Sequence, residues 1–375
     1  ISYFMRQAVR VSMKSAGFYG STNAVVHDNI TAKVDLLRSL VARKGAKLMV
    51  VSDFDHTLTK FTSPQCHDIV GFNKEYSTDF VKEFKSIFYK PMASLSEWWR
   101  AAHDLLVAKS GLTKDMLQER LDERVVAVRD GLESFAVNLR LNHVPLVIVS
   151  AGIKDVISHT LQQHNLPVTG DQLFHIDANF MEFHESGNLT NILPEDPVHS
   201  ESKSLVNVRA AHMFEVIEQI DAKRSKGKSG HSEEPGLFVI EDESNGMCAT
   251  SVATNGNLNE DGAHEEVVAI VLGDRPHDFH VLEAYPWVHT FRIGFARSEH
   301  SEDVADLMRQ GACDAVLVGE EHSLEPVHKL MDELIKARDG QFSKVENVAT
   351  GSSKQAVLTV TATAAATPLL YERRV

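Results

Sequence analysis

The stretch "KLMVVSDFDHTLT", residues 47–59, joins an apolar run to a group of polar side chains. It begins as a continuous apolar run, which is typical of a strand covered on both faces in a parallel sheet. The run ends in two carboxylates one residue apart, Asp53 and Asp55, and Thr57 follows them. A turn or a helix cap uses one acid at such a point. The pair therefore indicates chemistry, and its other participants are expected at the ends of other strands.

Further apolar runs of strand length follow the first one. They are "VPLVIV" (144–149), "LFVI" (237–240), "VVAIVL" (267–272) and "DAVLV" (314–318). Stretches with helical spacing precede or separate them; these are 30–44, with Gly45 as a stop, 153–164 and 203–221. This alternation predicts an α/β fold with a Rossmann-like parallel sheet as its core.

The chain between Phe61 and about Leu139 is mostly helical in pattern. Three predicted helices are "FVKEFKSIF", "SLSEWWRAAHDLLVA" and "TKDMLQERLDERVVAVR". Because they lie between the first and second core strands, they predict an inserted helical cap domain. The predicted divisions are an unstructured leader (1–29), the core (30–62 and 136–338), the cap (63–135) and a low-complexity tail (339–375). Two Gly-, Ser- and charge-rich segments, 222–236 and 249–266, are predicted loops.

Bulk properties exclude several classes of protein. The 375 residues carry 52 acidic and 38 basic side chains, a net charge of −14, which argues against a nucleic-acid partner. No apolar run approaches the roughly 18–20 residues that cross a bilayer, so no membrane partner is predicted. The three cysteines form neither a disulfide framework nor a zinc site, which favours a cytoplasmic location. A basic, acid-poor leader leaves organelle targeting as the alternative. No oligomer is predicted.

Polar residues follow two other predicted strands. Ser150, Ala151 and Gly152 follow the run that ends at 149, and "GDRPHD" (273–278) follows the run that ends at 272. The carboxyl ends of parallel strands share one edge of a sheet, where ligands bind. Three segments therefore bring carboxylates, a hydroxyl group and glycine backbone to one edge. Any one of them alone is more simply a strand-to-helix turn.

This set of groups suits phosphoryl transfer through an aspartyl-phosphate. Asp53 would attack phosphorus, and Asp55 would protonate the leaving oxygen and later activate water. Mg²⁺ would offset the repulsion between carboxylate and phosphate, held by Asp53 and Asp274, with Asp278 on a coordinated water. Ser150 and nearby amides would bind phosphate oxygens.

A lysine should complete the phosphate site, and two are available. Lys203 opens the predicted helix at 203–221, whereas Lys154 follows Ser150-Ala151-Gly152 closely. By itself Lys203 would more simply be a solvated helix residue. The spacing alone leaves the choice between the two lysines open.

The motifs "DFDHTLT", "VIVSAGIKDVI" and "VLGDRPHD" resemble those of haloacid dehalogenase superfamily phosphatases. The more detailed resemblance is to the cytosolic pyrimidine 5′-nucleotidase family and covers roughly residues 30–335. The stretches that resemble the family are "SLSEWWRAAHDLLV", "VRDGLESFAVNL", "NFMEF" and "FRIGFARSEHSEDVADLMRQGACDAVLV". The resemblance implies a haloacid dehalogenase-like fold and a Mg²⁺-dependent hydrolase acting on nucleoside monophosphates such as UMP and CMP.

The resemblance also implies a role for each matching residue. Asp53 would be the nucleophile and Asp55 the general acid and base. The other implied groups are the metal ligands Asp53, Asp55 (through its carbonyl), Asp274 and Asp278, the phosphate ligands Thr57, Ser150, Ala151, Gly152 and Lys203, and the nucleoside contacts Glu97 and Trp98. Trp98 and the neighbouring Trp99 would equally serve as core packing.

One motif departs from the family pattern, which normally reads Gly-Asp-Ser-x-Gly-Asp. Here Arg275, Pro276 and His277 separate the two acids, and Arg275 would either weaken Mg²⁺ binding or add a phosphate contact. Asp242, after the run at 237–240, is a competing metal ligand. Two alternative functions stay open. One is a phosphatase for phosphoserine, another small phosphoester or a modified purine nucleotide, and the other is a nucleotide-binding protein with little turnover.

Overall fold

The computed structural model describes residues 11–13, 24–87, 94–123, 126–166, 173–204, 265–298, 302–340 and 356–358. The strands in these ranges are β1 (Val11–Met13), β2 (Ala24–Val26), β3 (Lys47–Ser52), β4 (Leu146–Ile153), β5 (Phe174–Phe183), β6 (Leu189–Leu193), β7 (Val267–Gly273), β8 (Val288–Ala296), β9 (Ala315–Val318) and β10 (Ala356–Leu358). The helices are α1 (Ile30–Lys44), α2 (Cys66–Gly71), α3 (Thr78–Ile87), α4 (Leu95–Lys109), α5 (Lys114–Asp122), α6 (Leu132–Leu141), α7 (Lys154–Gln163), α8 (Glu302–Met308) and α9 (Glu325–Arg338).

These strands form one sheet in the order β10-β1-β2-β9-β8-β7-β3-β4-β5-β6. The six strands from β9 to β5 are parallel to one another, and the strands beyond them at both edges pair antiparallel. The strand β3 lies between β7 and β4. The three segments predicted to meet at one edge therefore lie at the carboxyl ends of three adjacent strands, with the Asp53 segment in the middle.

The apolar run of β3 is continuous because both of its faces are covered. Leu48 and Val50 belong to the larger apolar cluster of the protein, and Met49 and Val51 belong to the cluster on the opposite face of the sheet. All four side chains are at most 3% exposed. Burial on alternate faces is the reason a period-2 strand here shows no polar alternation.

The first helix matches its sequence pattern to the residue. The helix α1 spans Ile30–Lys44, and Gly45 ends it with φ +67°, donating its N–H to the carbonyl of Leu40. This left-handed conformation is one that glycine adopts without strain. The predictions for β3, β4, β7, β9 and α7 are also met to within a few residues. The predicted strand at 237–240, the helix beyond 204 and most of the two predicted loops lie outside the described residues.

The helices α2 to α5 form the cap, inserted between β3 and α6. Two segments connect it to the core and run side by side: Lys60 N donates to Ala127 O, and Arg129 N donates to Leu58 O. The predicted helix 113–129 is wrong in its second half, because α5 ends at Asp122 and Val128 pairs with Thr59 in extended backbone. The predicted cap boundary at 135 lies within α6.

Several elements carried no clear signal in the sequence. The strand β8 alternates polar and apolar residues, and the hairpin of β5 and β6 stands at the sheet edge. The strands β1 and β2 fall within the segment expected to be an unstructured leader, and β10 falls within the predicted tail. No helix in the described ranges combines the length and apolar character that crossing a membrane requires.

The cap is close-packed where α2 meets α3, which gives a stability prediction. A Cβ atom at Gly71 would overlap the ring of Phe84, which is buried. We expect Gly71→Ala to lower the free energy of unfolding by about 1–3 kcal/mol through overpacking. Urea unfolding measures this. In the double variant Gly71→Ala/Phe84→Leu the loss should be smaller than the sum of the single losses. Additive losses would show that the two residues do not conflict.

Candidate active site

Asp53 lies at the carboxyl end of the central strand β3. Its backbone N–H donates to Leu272 O at 3.0 Å, so the main chain at Asp53 is still hydrogen-bonded to β7. Asp274 directly follows β7, and Asp278 lies in the short 3-10 helix Pro276–His280. Oxygen atoms of these three carboxylates lie within 4.8 Å of one another. The predicted convergence of Asp53, Asp274 and Asp278 is therefore present in the fold.

Lys203 lies inside this carboxylate cluster. Its Nζ donates to Asp53 Oδ1 at 2.7 Å and to Asp278 Oδ1 at 2.6 Å, and the lysine is 4% exposed. The two carboxylates raise its pKa above the usual lysine range despite burial. Lys154, the competing candidate, is exposed at the start of α7. Of the two, Lys203 is the one beside Asp53.

The backbone around Asp278 is shaped by its carboxylate. Asp278 Oδ2 accepts the N–H groups of Asp274 at 3.1 Å and Arg275 at 2.9 Å, which closes the loop after β7. A Cβ atom at Gly273 would overlap the Asp278 side chain, so glycine permits this close approach. The loop thereby fixes Asp274 and Asp278 relative to each other.

Asp55 is held separately from the other acids. Its carboxylate accepts the N–H of Cys66 at 3.1 Å and its thiol at 3.4 Å, at the first residue of α2. Burial, with Asp53 nearby, raises the pKa of Asp55 to about 7, and burial also raises the pKa of Asp53 to about 6. Asp55 is thus a carboxyl group that can hold a proton near neutral pH, which general acid catalysis requires.

The predicted phosphate ligands lie around the two acids. Thr57 Oγ1 stands 3.5 Å from Asp53 Oδ2, at the outer limit of a hydrogen bond. Ser150 Oγ accepts the N–H of Gly152 at 3.0 Å, within a strand β4 that runs on through Ala151 to Ile153. A Cβ atom at Gly152 would lie 2.7 Å from Cys66 Sγ, so this backbone reaches the group that binds Asp55.

Carboxylate oxygens are the hard ligands that Mg²⁺ prefers, and usually only one or two of them serve each ion. Asp53, Asp274 and Asp278 therefore fit a Mg²⁺ site in ligand type, and the three of them are enough to supply its carboxylates. Lys203 already balances part of their charge. The competing ligand Asp242 lies outside the described residues.

The residues that depart from the family motif lie at the rim. The side chain of Arg275 is 55% exposed, and its Nε stands 3.5 Å from Asp274 Oδ2. Its guanidinium also lies 3.7 Å from Asp303 Oδ1. Arg275 is thus close enough to Asp274 to act on a metal bound there, or on a phosphate.

The predicted nucleoside contacts Trp98 and Glu97 both lie on α4 of the cap. Trp98 packs in the cap core, where its indole N–H donates to Ile87 O at 3.0 Å. Glu97 is exposed in the first turn of α4. Trp99 lies against His67, with ring centroids 4.1 Å apart. His67 directly follows Cys66, whose N–H binds the Asp55 carboxylate.

The imidazoles of His67 and His103 form a buried pair in the cap. Their Nε2 atoms lie 3.1 Å apart, and burial lowers the pKa of His103 to about 4 and that of His67 well below its usual value. Both imidazoles are therefore neutral at neutral pH. The sequence pattern itself favours packing roles for His67 and Trp99, and it does not show that their rings meet.

A family model described as pyrimidine 5′-nucleotidase (UMPH-1) matches residues 85–335. The chain belongs to this family. The family expectation from the motifs is confirmed. The match covers the cap from α4 onward and the core beyond it, including Lys203, Asp274 and Asp278. It begins after Asp53 and Asp55, so the assignment of those two acids depends on the geometry described above.

Curated relatives resemble part of the chain. The 7-methylguanosine phosphate-specific 5′-nucleotidase B of Xenopus laevis is 30% identical over 194 residues, 46% of this chain and 64% of that protein. The 7-methylguanosine phosphate-specific 5′-nucleotidase of Mus musculus is 30% identical over 164 residues, 39% of this chain and 53% of that protein. The matches span less than two thirds of the length of either relative.

A solved structure supports the fold. The crystal structure of cytosolic 5′-nucleotidase IIIB bound to cytidine superposes with a TM-score of 0.57 and 17% identity. The superposition covers 85% of this chain and 95% of that one. The predicted fold, a Rossmann-like parallel sheet with an inserted helical cap, is confirmed.

Proposed function

We propose that this protein is a Mg²⁺-dependent 5′-nucleotidase that hydrolyses nucleoside monophosphates to nucleoside and phosphate. The observation that carries the proposal is the buried cluster of Asp53, Asp274 and Asp278 around Lys203, at the carboxyl end of adjacent parallel strands. A purely structural cluster of this kind would be costly, because three acids are buried together and Lys203 balances two of them. A site that binds a metal ion and a phosphate group would explain why these acids are buried together despite that cost.

Asp53 is the proposed nucleophile. One of its carboxylate oxygens forms a bond to phosphorus while the bond from phosphorus to the nucleoside 5′-oxygen breaks, which leaves an aspartyl-phosphate. Lys203 and Mg²⁺, held by Asp53, Asp274, Asp278 and the carbonyl of Asp55, would neutralise the charge of the phosphate oxygens. Thr57, Ser150 and the amides of Ala151 and Gly152 complete the proposed phosphate site.

Asp55 is the proposed proton carrier. In its protonated form it gives its proton to the departing 5′-oxygen, and as a carboxylate it then takes a proton from the water that attacks phosphorus. The bond between phosphorus and Asp53 breaks in that second step, which restores the carboxylate. The raised pKa of Asp55, about 7, suits a group that alternates between the two forms.

Two classes of nucleotide are proposed as substrates. The first is the pyrimidine nucleotides UMP and CMP, in keeping with the family. The second is 7-methylguanosine monophosphate, because the Xenopus laevis and Mus musculus relatives are named for it and because Trp99 packs on His67, the residue after the Cys66 that binds Asp55. A methylated guanine ring carries positive charge, which the face of an indole attracts. Glu97 would contact the nucleoside from the first turn of α4.

Phosphate release from a panel of esters tests the proposal. We expect at least one of UMP, CMP and 7-methylguanosine monophosphate to be hydrolysed about tenfold or more faster than phosphoserine. Chelation of Mg²⁺ should reduce the rate to background, and adding Mg²⁺ should restore it. A preference for phosphoserine would identify another small-phosphoester phosphatase. Binding of UMP with Mg²⁺ but without phosphate release would identify a nucleotide-binding protein.

The proposed partner is thus a small nucleotide in the cytoplasm. A relative from Caenorhabditis elegans, 27% identical over 179 residues, is named a putative cytosolic 5′-nucleotidase 3, which supports this location. The high acidic content of the chain gives no support for a nucleic-acid partner.

A further inference from the structure

Arg129 is a completely buried arginine beside the proposed catalytic turn. Its guanidinium donates to three main-chain carbonyls: Nη2 to His56 O at 2.6 Å, Nε to Thr57 O at 2.7 Å and Nη1 to His322 O at 3.0 Å. The guanidinium carbon also lies 5.0 Å from the ring centroid of Phe61 and 4.3 Å from that of Phe295.

Burying a cation whose partners are neutral carbonyl groups costs desolvation free energy, so the presence of an arginine at this position requires an explanation. Burial lowers the pKa of Arg129 to about 10, and the charges of Asp274 and Glu321 oppose that change. The group therefore keeps its charge at neutral pH. An apolar residue would fill the same space without the desolvation cost. What an apolar residue cannot do is bind three carbonyl oxygens at once.

The carbonyls that Arg129 binds belong to the turn that carries the proposed acid and base. His56, directly after Asp55, has φ +63°, a left-handed conformation that is unfavourable for a residue with a side chain. External contacts must therefore hold this turn. Arg129 binds it from one side, at His56 and Thr57, and the N–H of Cys66 binds the Asp55 carboxylate from the other.

Arg129 also lies where the cap connects to the core. It ends the second connecting segment, and its own N–H donates to Leu58 O in the first. The third carbonyl, of His322, is 193 residues away along the chain, in the loop after β9. A single side chain thus joins the proposed catalytic turn, the cap connection and that loop.

We propose that Arg129 is a positioning residue for Asp55: its guanidinium holds the turn at 55–57 in the conformation that aims the acid at the leaving oxygen. This inference rests on the proposed function. Lysine would keep the charge but not the planar set of donors, so it should not replace arginine here. The effect should fall on proton transfer rather than on substrate binding.

The test compares Arg129→Lys and Arg129→Met with the unchanged protein. With the best nucleotide substrate we expect kcat to fall at least about tenfold and KM to change less than about twofold. With p-nitrophenyl phosphate, whose leaving group departs without a proton, the loss in kcat should be several-fold smaller. Equal losses for both esters, or a loss confined to KM, would overturn the proposal.

A second readout does not depend on activity. In Arg129→Lys, hydrogen exchange measured by mass spectrometry should be faster at the amides of Thr57, Leu58 and Thr59, which donate to Phe54 O. The matched control is Arg338→Lys, because Arg338 donates to Asn142 O at 3.0 Å and lies far along the chain at the end of α9. That control should change neither kcat nor exchange in the turn.

The outcomes separate the two proposals. If the unchanged protein releases no phosphate from any ester, the proposed function fails, and the exchange experiment still decides whether Arg129 holds the turn. If the protein is active and Arg129→Lys folds with unchanged exchange, the positioning role fails alone. If neither Arg129 variant folds, Arg129 is a stability residue and the proposal is also wrong.

Discussion

Replacing Asp53 by asparagine should abolish phosphate release, with a fall in kcat on the order of 10⁴-fold or more. The amide has the shape of the carboxylate but is a far weaker nucleophile, so no aspartyl-phosphate can form. Lys203 can still donate to the amide oxygen, and the buried site loses one of its negative charges. The fold should therefore persist while the reaction stops. Phosphate release measures the first effect, and acid-quenched enzyme after incubation with labelled nucleotide should carry no label.

The control for this variant is Asp332→Asn on α9, where the acid accepts a hydrogen bond from Asn138 away from the site. It should change kcat less than about twofold, as expected for a surface substitution. If Asp53→Asn keeps more than a few per cent of the activity, Asp53 is not the nucleophile. The proposed chemistry would then have to begin from another group.

The sequence was informative about the site where the chemistry follows directly from strand order. Asp53, Asp274 and Ser150 each follow an apolar run, and the rule that parallel strands share one carboxyl edge was sufficient to predict that they meet. The length of β3 and the stop at Gly45 are likewise local properties of the chain. The choice of Lys203 over Lys154 required the family resemblance, because spacing along the chain gives no distance in space.

The elements that escaped prediction depend on contacts distant in sequence. Trp98 and Trp99 are neighbours on one predicted helix, and contacts distant in sequence separate them: Trp98 donates to Ile87 O of α3, and Trp99 lies against His67 of α2. Val126 to Arg129 look helical in isolation, yet they pair with the first cap connection, and tertiary pairing overrides local propensity. The role of Arg129 could not be predicted for the same reason, because its carbonyl partners at 56–57 and 322 are far apart in the sequence and meet only in the fold.

Replacing Lys203 by methionine should reduce kcat/KM by about 10²–10³-fold, the size of effect that follows loss of one fixed charge from a transition-state site. Methionine matches the length of the lysine stem but leaves Asp53 and Asp278 without their internal cation. The loss should be largest at saturating Mg²⁺, because Lys203 and Mg²⁺ would contact different oxygens of the phosphate. Steady-state kinetics over a range of Mg²⁺ concentrations measures it.

Metal binding distinguishes this role from a structural one. In Lys203→Met the carboxylates lose a competing cation, so calorimetry should show Mg²⁺ bound as tightly as before or more tightly, whereas Asp274→Asn should bind it more weakly. Lys154→Met is the matched control, since that lysine is exposed at the start of α7 and should change kcat/KM less than about twofold. If Lys203→Met lost Mg²⁺ affinity together with activity, Lys203 would serve to assemble the carboxylates rather than to bind phosphate. If Lys154→Met instead showed the large kinetic loss, the phosphate lysine would be the residue beside Ser150-Ala151-Gly152.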